Sequence, residues 1–190
     1  MGANKLGRFL AHSVALESEA QERYLELAEV MAAHDNRPVA DFFRRMADEA
    51  SLHLLEVTKI AVEVPLPQLK AWEFEWPEME APETTSHEAV YSRMSLRQAM
   101  LLALDNECAA EQYYRHVSQT SGDAETARIA ADFADEELSH AAALKRLLAN
   151  LPPDDAPRLH EDSGPVRHTR CQSLVDQLSR LPIFLAPKPM

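Results

Sequence analysis

Apolar residues recur at spacings of three and four along two long stretches of the chain, which is the period of an amphipathic α-helix. Turn-like breaks at 33–38 (AHDNRP) and 121–123 (SGD) divide each stretch into two. The pattern predicts helices at about 5–33, 38–63, 95–120 and 123–149. The predicted apolar stripes end at Ile60 on helix two and Leu147 on helix four. Helices of about 26 residues are roughly 40 Å long, which suits a four-helix bundle.

The prolines support this division. Of twelve prolines, only Pro38 precedes residue 64, and none falls between residues 83 and 151. Proline inside a helix removes a hydrogen bond and clashes with the preceding turn, although the first turn tolerates it. Pro38 therefore suits the start of helix two. An N-cap at Asp123 and a capping box of Ser95 with Gln98 indicate where the last two helices begin.

The segment 64–94 is too long for a hairpin loop but can run the length of a bundle. A single long crossover between two helical hairpins is the ferritin-like arrangement. We therefore expect an all-α fold in which residues 1–150 form a ferritin-like four-helix bundle with its crossover linker at 64–94. Residues 151–190 are predicted to be an irregular, proline-rich tail, in which CQSLVDQLSRL (171–181) has the pattern of a short amphipathic helix.

The first and third predicted helices repeat each other. Each carries a glutamate in the middle of its apolar stripe, Glu17 and Glu107. In each helix a tyrosine follows seven residues later on the same face, Tyr24 and Tyr114. The chain therefore contains two related helical hairpins.

The second and fourth helices carry a second repeat. ADEASLH (47–53) and ADEELSH (134–140) agree at Ala, Asp, Glu and His. In the later copy Glu137 and His140 are three residues apart on one helix, so they point the same way and can hold one ion between them. In the earlier copy Ala50 stands in the place of that glutamate, so His53 lacks a companion carboxylate.

Three glutamates and two histidines therefore converge in an interior that is otherwise apolar. Burying one ion costs several kcal/mol even after relaxation, and carboxylates without a cation also repel one another. Protonation of the glutamates, or ion pairs between them and protonated histidines, would reduce this cost. A bound metal ion would also reduce it. Oxygen and imidazole ligands without thiolate suit iron or manganese, with zinc as an alternative. The chain has no C-x-x-C pair for a cysteine-based zinc site or a rubredoxin-type iron site.

Charge and hydropathy narrow the range of partners. Acidic residues outnumber basic ones 31 to 19, giving a net charge of −12. Affinity for nucleic acid depends on Lys and Arg, so a nucleic-acid partner is not expected. The chain has no run of 18 apolar residues, and its N-terminus lacks the apolar core of a signal peptide. We expect a cytoplasmic protein with no membrane partner.

Several motifs resemble those of rubrerythrin-type ferritin-like proteins. ESEAQERY (17–24) and ECAAEQYY (107–114) are similar to the family's E-x6-Y motif, and EELSH (136–140) contains its E-x-x-H motif. The resemblance extends over roughly residues 7–148 and implies a dinuclear iron site that reacts with peroxide or dioxygen. The metal ligands it implies are Glu17, His53, Glu107, Glu137 and His140. It also implies that Tyr24 and Tyr114 are donors that orient the ligand carboxylates.

Two positions depart from the family pattern. Ala50 replaces the glutamate that should accompany His53 and bridge the two metals, and Ala110 replaces a glutamate often found one turn beyond Glu107. Several outcomes stay open at Ala50: Glu49 swings in, solvent completes the site, or the second metal binds weakly and leaves one iron. The gap could also admit a substrate or an exogenous carboxylate. We expect no rubredoxin domain after the bundle, so electrons would come from an external donor.

We expect a homodimeric non-haem iron oxidoreductase of rubrerythrin type, which reduces peroxide or activates dioxygen. Two alternatives stay open. The bundle could oxidise or store iron in a larger assembly, or it could be a non-enzymatic helical module with a vestigial metal site.

Overall fold

The computed structural model describes residues 5–70, 73 and 93–151 of the 190-residue chain. These residues form the helices α1 (Lys5–Ala33), α2 (Arg37–Ala61), α3 (Leu96–Thr120) and α4 (Ala124–Asn150). Helix α1 pairs with α2 and α3 pairs with α4, and smaller contacts join α2 to α3 and α1 to α4. The predicted all-α four-helix bundle, consistent with a ferritin-like fold, is confirmed.

Local sequence signals set the helix starts as predicted. The Ser95 side chain accepts a hydrogen bond from the Gln98 backbone N–H at 3.1 Å, and Gln98 Oε1 accepts one from the Ser95 N–H at 2.8 Å. Asp123 caps α4 by accepting from the Thr126 N–H at 2.9 Å. Pro38 lies in the first turn of α2. The first N–H groups of a helix have no partner within the helix. The two caps accept hydrogen bonds from such groups, and Pro38 has no N–H that needs a partner.

The predicted inward stripes are wrong at two helix ends. Ile60 and Leu147 are 39% and 51% exposed, and Ala61 and Leu148 are buried in their place. A helix of 3.6 residues per turn drifts from a fixed spacing of three and four over several turns. The last position of a long stripe is therefore the one that is misassigned, while the middle of each stripe, where the candidate ligands lie, is not affected.

Parts of the predicted organisation lie outside the described residues. They include most of the crossover linker 64–94 and nearly all of the tail 151–190, with its short helix at 171–181. The domain boundary at residue 150 stays a prediction. Of the four helices that the structure describes, none combines the length and the apolar character needed to cross a bilayer.

Candidate metal centre

The predicted ligand residues meet in the interior of the bundle, and all four helices contribute. Glu17 from α1, Glu107 from α3 and Glu137 from α4 are buried, with at most 5% of each residue exposed. His53 from α2 and His140 from α4 are partly buried beside them. The structure therefore brings together the five side chains that the sequence selected.

Glu137 is close to both histidines. His53 Nδ1 is 3.5 Å from Glu17 Oε2 and 3.8 Å from Glu137 Oε1. His140 Nδ1 is 3.5 Å from Glu107 Oε2 and 3.5 Å from Glu137 Oε2. The imidazole rings stack, with centroids 4.8 Å apart and planes 15° apart. Glu137 therefore presents one oxygen to each imidazole.

The separations and the chemistry of these donors fit a metal ion. Ligand atoms about 2.1 Å from one ion lie roughly 3 to 4 Å from one another, and the atoms above are 3.5 to 3.8 Å apart. Single donor atoms of His53, Glu137 and His140 all lie within 4.8 Å of one another. Glu17 Oε2 and Glu137 Oε2 are buried and make no hydrogen bond of good geometry with the described residues. The groups of opposite charge that face them are the Nδ1 atoms of His53 and His140, each 3.5 Å away. Leaving such oxygens without a partner is costly, and a cation would supply one.

Glu111 provides a contrast within the same helix. It is 5% exposed, as buried as Glu107. Its Oε1 accepts a hydrogen bond from Arg115 Nε at 2.9 Å, and Arg115 NH2 also binds Asp135 at 2.8 Å. The burial of Glu111 is thus explained by an arginine. None of the described lysines or arginines forms an ion pair with the three candidate ligand glutamates.

The two tyrosines make different contacts. Tyr114 OH donates to Glu17 Oε1 at 3.4 Å, so it crosses from α3 to a candidate ligand on α1. Tyr24 OH accepts from Asn106 Nδ2 at 3.0 Å in the buried interior. Asn106 was not predicted from the sequence, because it lies one residue before Glu107 and outside the periodic stripe. The role of either tyrosine toward a bound metal stays a prediction.

Glu136 is a second residue that the sequence analysis did not select. Its Oε1 lies 3.8 Å from His53 Nε2, and its side chain is 42% exposed. His53 therefore turns Nδ1 to the buried carboxylates and Nε2 to a carboxylate at the surface. The signal was available in the repeated motif, where Glu136 corresponds to Glu49, but a position next to the inward stripe gave no reason to choose it.

The electrostatics of the cluster depend on burial and on its internal pairs. Burial opposes protonation of His53, but the carboxylates of Glu17 and Glu137 outweigh it and raise the pKa of His53 to about 9. Glu107 and Glu137 likewise raise the pKa of His140 to about 11 against the effect of burial. Burial raises the pKa of Glu17, and it raises that of Glu107 to about 8. The pKa of Glu137 is lowered despite burial, because hydrogen bonds with His140 and Glu107 and the charges of both imidazoles favour its carboxylate form. Without a metal, the cluster therefore retains protons that its groups would lose in water.

A cavity of about 10 Å³ lies against the cluster, at the position where α2 carries Ala50. Such a volume accommodates about one water molecule. The residues that line it come from α1, α2, α3 and α4: Glu17, Tyr24, Met46, Glu49, Ala50, His53, Glu107 and His140. The small side chain at position 50 thus coincides with open space beside His53.

Comparisons with known proteins assign the family. A family model described as Rubrerythrin matches residues 8–148. This chain belongs to the rubrerythrin family. The crystal structure at 2.00 Å of an uncharacterized conserved protein from Magnetospirillum magnetotacticum MS-1 is 37% identical, with a TM-score of 0.64, and the match covers 81% of this chain and 100% of that chain. The search among curated proteins found no match.

Membership in the rubrerythrin family implies a two-metal site, for which the cluster of His53, Glu137 and His140 is the candidate. The structure also shows both departures from the rubrerythrin pattern. Ala110 is fully buried and is part of the apolar core. Ala50 instead borders the cavity beside His53, so only one of the two lost carboxylates leaves room at the candidate site.

Proposed function

We propose that this protein is a non-haem iron oxidoreductase of rubrerythrin type, which reduces peroxide or activates dioxygen with electrons from an external donor. One observation carries the proposal. Three buried glutamates and two histidines from all four helices converge. Glu17 Oε2 and Glu137 Oε2 make no hydrogen bond of good geometry with the described residues and have only a histidine Nδ1 at 3.5 Å. A bound cation is the simplest partner for both oxygens.

The residues of the chain would hold and orient the metal, and the metal would supply the electron-transfer chemistry. Glu17, Glu107 and Glu137 would bind through carboxylate oxygens, and His53 and His140 through Nδ1. The hydrogen bond from Tyr114 OH to Glu17 Oε1 leaves Glu17 Oε2 directed to the cluster. The three glutamates are buried in the apolar core, which would keep bulk water away from their carboxylates and strengthen the electrostatic interactions inside the site.

Iron is the metal we propose, with manganese and zinc as alternatives. Carboxylate and imidazole ligands accept all three ions, but zinc has no redox chemistry. A homodimer located in the cytoplasm is the assembly and compartment that we propose. The mass measured by sedimentation distinguishes this dimer from the iron-storage alternative. A dimer has twice the 21.3 kDa mass of the chain, whereas iron storage requires a much larger cage.

The direct test is to load the protein with ferrous iron without air and then add peroxide. We expect new near-ultraviolet absorption, and repeated turnover when a reductant is supplied. Glu137→Gln should abolish both, because it removes the carboxylate that faces both histidines. Glu111→Gln is the control, since Glu111 is equally buried but is bound to Arg115.

Two results would count against this function. Iron that accumulates without peroxide turnover in a large assembly favours storage. Purified protein without stoichiometric metal, together with melting that chelators do not change, favours a non-enzymatic helical module.

A further inference from the structure

Glu49 lies at the edge of the cavity beside Ala50. It is exposed to solvent, yet it lines the same cavity as Glu17, His53 and Glu107. It follows Asp48 on the outer side of α2 and borders the space that Ala50 leaves. The structure therefore places a carboxylate next to the position where His53 lacks its companion.

The spacing along α2 explains this placement. Met46, Glu49, Ala50 and His53 stand at positions i, i+3, i+4 and i+7, which form one face of a helix. Side chains four residues apart lie one above the other, so Glu49 and His53 can direct their polar ends to one point. Two metal ligands at i and i+4 on one helix are a known spacing in metal sites.

Glu49 is also available for a new partner. Its carboxylate makes no hydrogen bond or ion pair with any other described residue. The nearby carboxylates are committed elsewhere: Glu136 faces His53 Nε2 at 3.8 Å, and Glu111 is bound to Arg115 at 2.9 Å. Among these three acidic residues close to the cluster, Glu49 alone combines an unengaged carboxylate with access to the cavity.

The charge of a two-metal site favours a fourth carboxylate. Two divalent ions carry four positive charges, and Glu17, Glu107 and Glu137 together supply three negative ones. Uncompensated charge in a low-dielectric interior is unfavourable. Glu49 would bring the formal charge of the site to zero without any other ligand.

We propose that Glu49 turns into the cavity beside Ala50 and coordinates the ion that Glu17 and His53 hold, in place of the glutamate that Ala50 replaces. This inference rests on the proposed function, since it requires a metal in the cluster. It defines a ligand set in which the α2 carboxylate comes from position 49 instead of position 50.

The first test compares metal content and affinity in Glu49→Gln and in Glu56→Gln, which changes another exposed glutamate of α2. We expect Glu49→Gln to weaken the second metal about tenfold or more, in the range that loss of supporting groups causes at metal sites. Metal content should then fall from two ions per chain toward one. The melting temperature without metal should not change, because Glu49 is exposed, and Glu56→Gln should behave as wild type.

The second test repeats Glu49→Gln in an Ala50→Glu background. A glutamate at position 50 would take over the coordination, so removing Glu49 should then have little effect on metal affinity. An equal loss in both backgrounds, or no loss in either, overturns the inference. The inference is also overturned if the wild-type protein binds one ion and only the Ala50→Glu variant binds two. A further contrary result is a Glu49→Gln variant that keeps two ions and binds them more tightly when acetate is added.

Failure of this inference can be separated from failure of the proposed function. If wild type binds two ions and Glu137→Gln loses them while Glu49→Gln does not, only the role of Glu49 is wrong. If wild type binds no stoichiometric metal, the proposed function fails, and the inference about Glu49 fails with it.

Discussion

Single hydroxyl groups can control how a buried carboxylate is presented to a metal. Tyr114 OH donates to Glu17 Oε1 at 3.4 Å, and removing it in Tyr114→Phe should leave both oxygens free to reorient. We expect metal affinity to fall by roughly 10- to 100-fold, as for other groups that orient ligands. Competition titration with a chelator measures this. Tyr113→Phe is the control, since it removes a hydroxyl from the neighbouring buried position; equal losses in both variants would contradict the assignment.

The protonation of individual residues predicts how the metal-free protein responds to pH. The pKa of His53 is raised to about 9 and that of Glu107 to about 8, so the folded state binds more protons than the unfolded chain between about pH 6.5 and 9. A group whose pKa is higher in the folded state than in the unfolded chain stabilises the folded state fully at pH values below its unfolded pKa. That contribution is lost as the pH rises through its folded pKa. Stability should therefore fall with rising pH over this window.

Denaturant unfolding in the presence of a chelator, at several values of pH from 6.5 to 9, measures this effect. His53→Gln should flatten the decline, because it removes one of the titrating groups. With metal bound the trend should reverse, since metal binding releases protons and strengthens as the pH rises. A metal-free protein whose stability increases over this range would show that the cluster does not retain its protons.

At the scale of helices, one close contact limits the side chain that the first turn of α1 can carry. A Cβ at Gly7 would lie 2.5 Å from the carbonyl oxygen of Pro65, which follows α2. Alanine normally favours a helix over glycine by about 1 kcal/mol, but overpacking against backbone typically costs about 1 to 3 kcal/mol. We expect Gly7→Ala to lower the free energy of unfolding in urea. Gly122→Ala is the control, because its nearest atom is the flexible Lys5 Nζ at 3.2 Å; a stabilising Gly7→Ala would contradict the contact.

Helices were the most predictable level of this structure, because their limits are encoded locally. Proline exclusion, the Ser95 capping box and the Asp123 cap act within a few residues of each end. The five candidate ligands were also predictable, since a polar residue in the middle of an apolar stripe must face the interior. The ends of the apolar stripes were not predictable, as the exposed Ile60 and Leu147 show. A small error in the assumed period accumulates along a long helix.

Residues beside the stripes escaped prediction for a different reason. Glu136 and Asn106 lie one position away from a candidate ligand, and helical periodicity assigns such positions to a neighbouring face. Their contacts with His53 and Tyr24 depend on how the helices rotate against one another in the bundle. That rotation is set by tertiary packing, so only a three-dimensional structure reveals it. Glu49 was named from the sequence as one of several open outcomes at Ala50, and its place beside the cavity depends on the orientation of α2.

For the molecule as a whole, the cluster links the two helical hairpins. Helices α1 and α2 form one hairpin and α3 and α4 the other, with fewer contacts between the hairpins than within them. An ion held by Glu17 and His53 from the first hairpin and by Glu137 from the second would connect the two directly. Metal bound only to the folded state should therefore stabilise the entire bundle.

Removal of metal should lower the melting temperature substantially. Free metal at about 1,000 times its dissociation constant stabilises the folded state by about 4 kcal/mol, and about 1 kcal/mol corresponds to roughly 2–4 °C for a chain of this size. We therefore expect a decrease of roughly 8–16 °C when a chelator strips the loaded protein, measured by scanning calorimetry. Glu137→Gln should melt at the same temperature with and without metal, whereas Glu111→Gln should retain the shift. If stripping leaves the melting of the wild-type protein unchanged, the hairpins are held together without a metal and the cluster has no metal to lose.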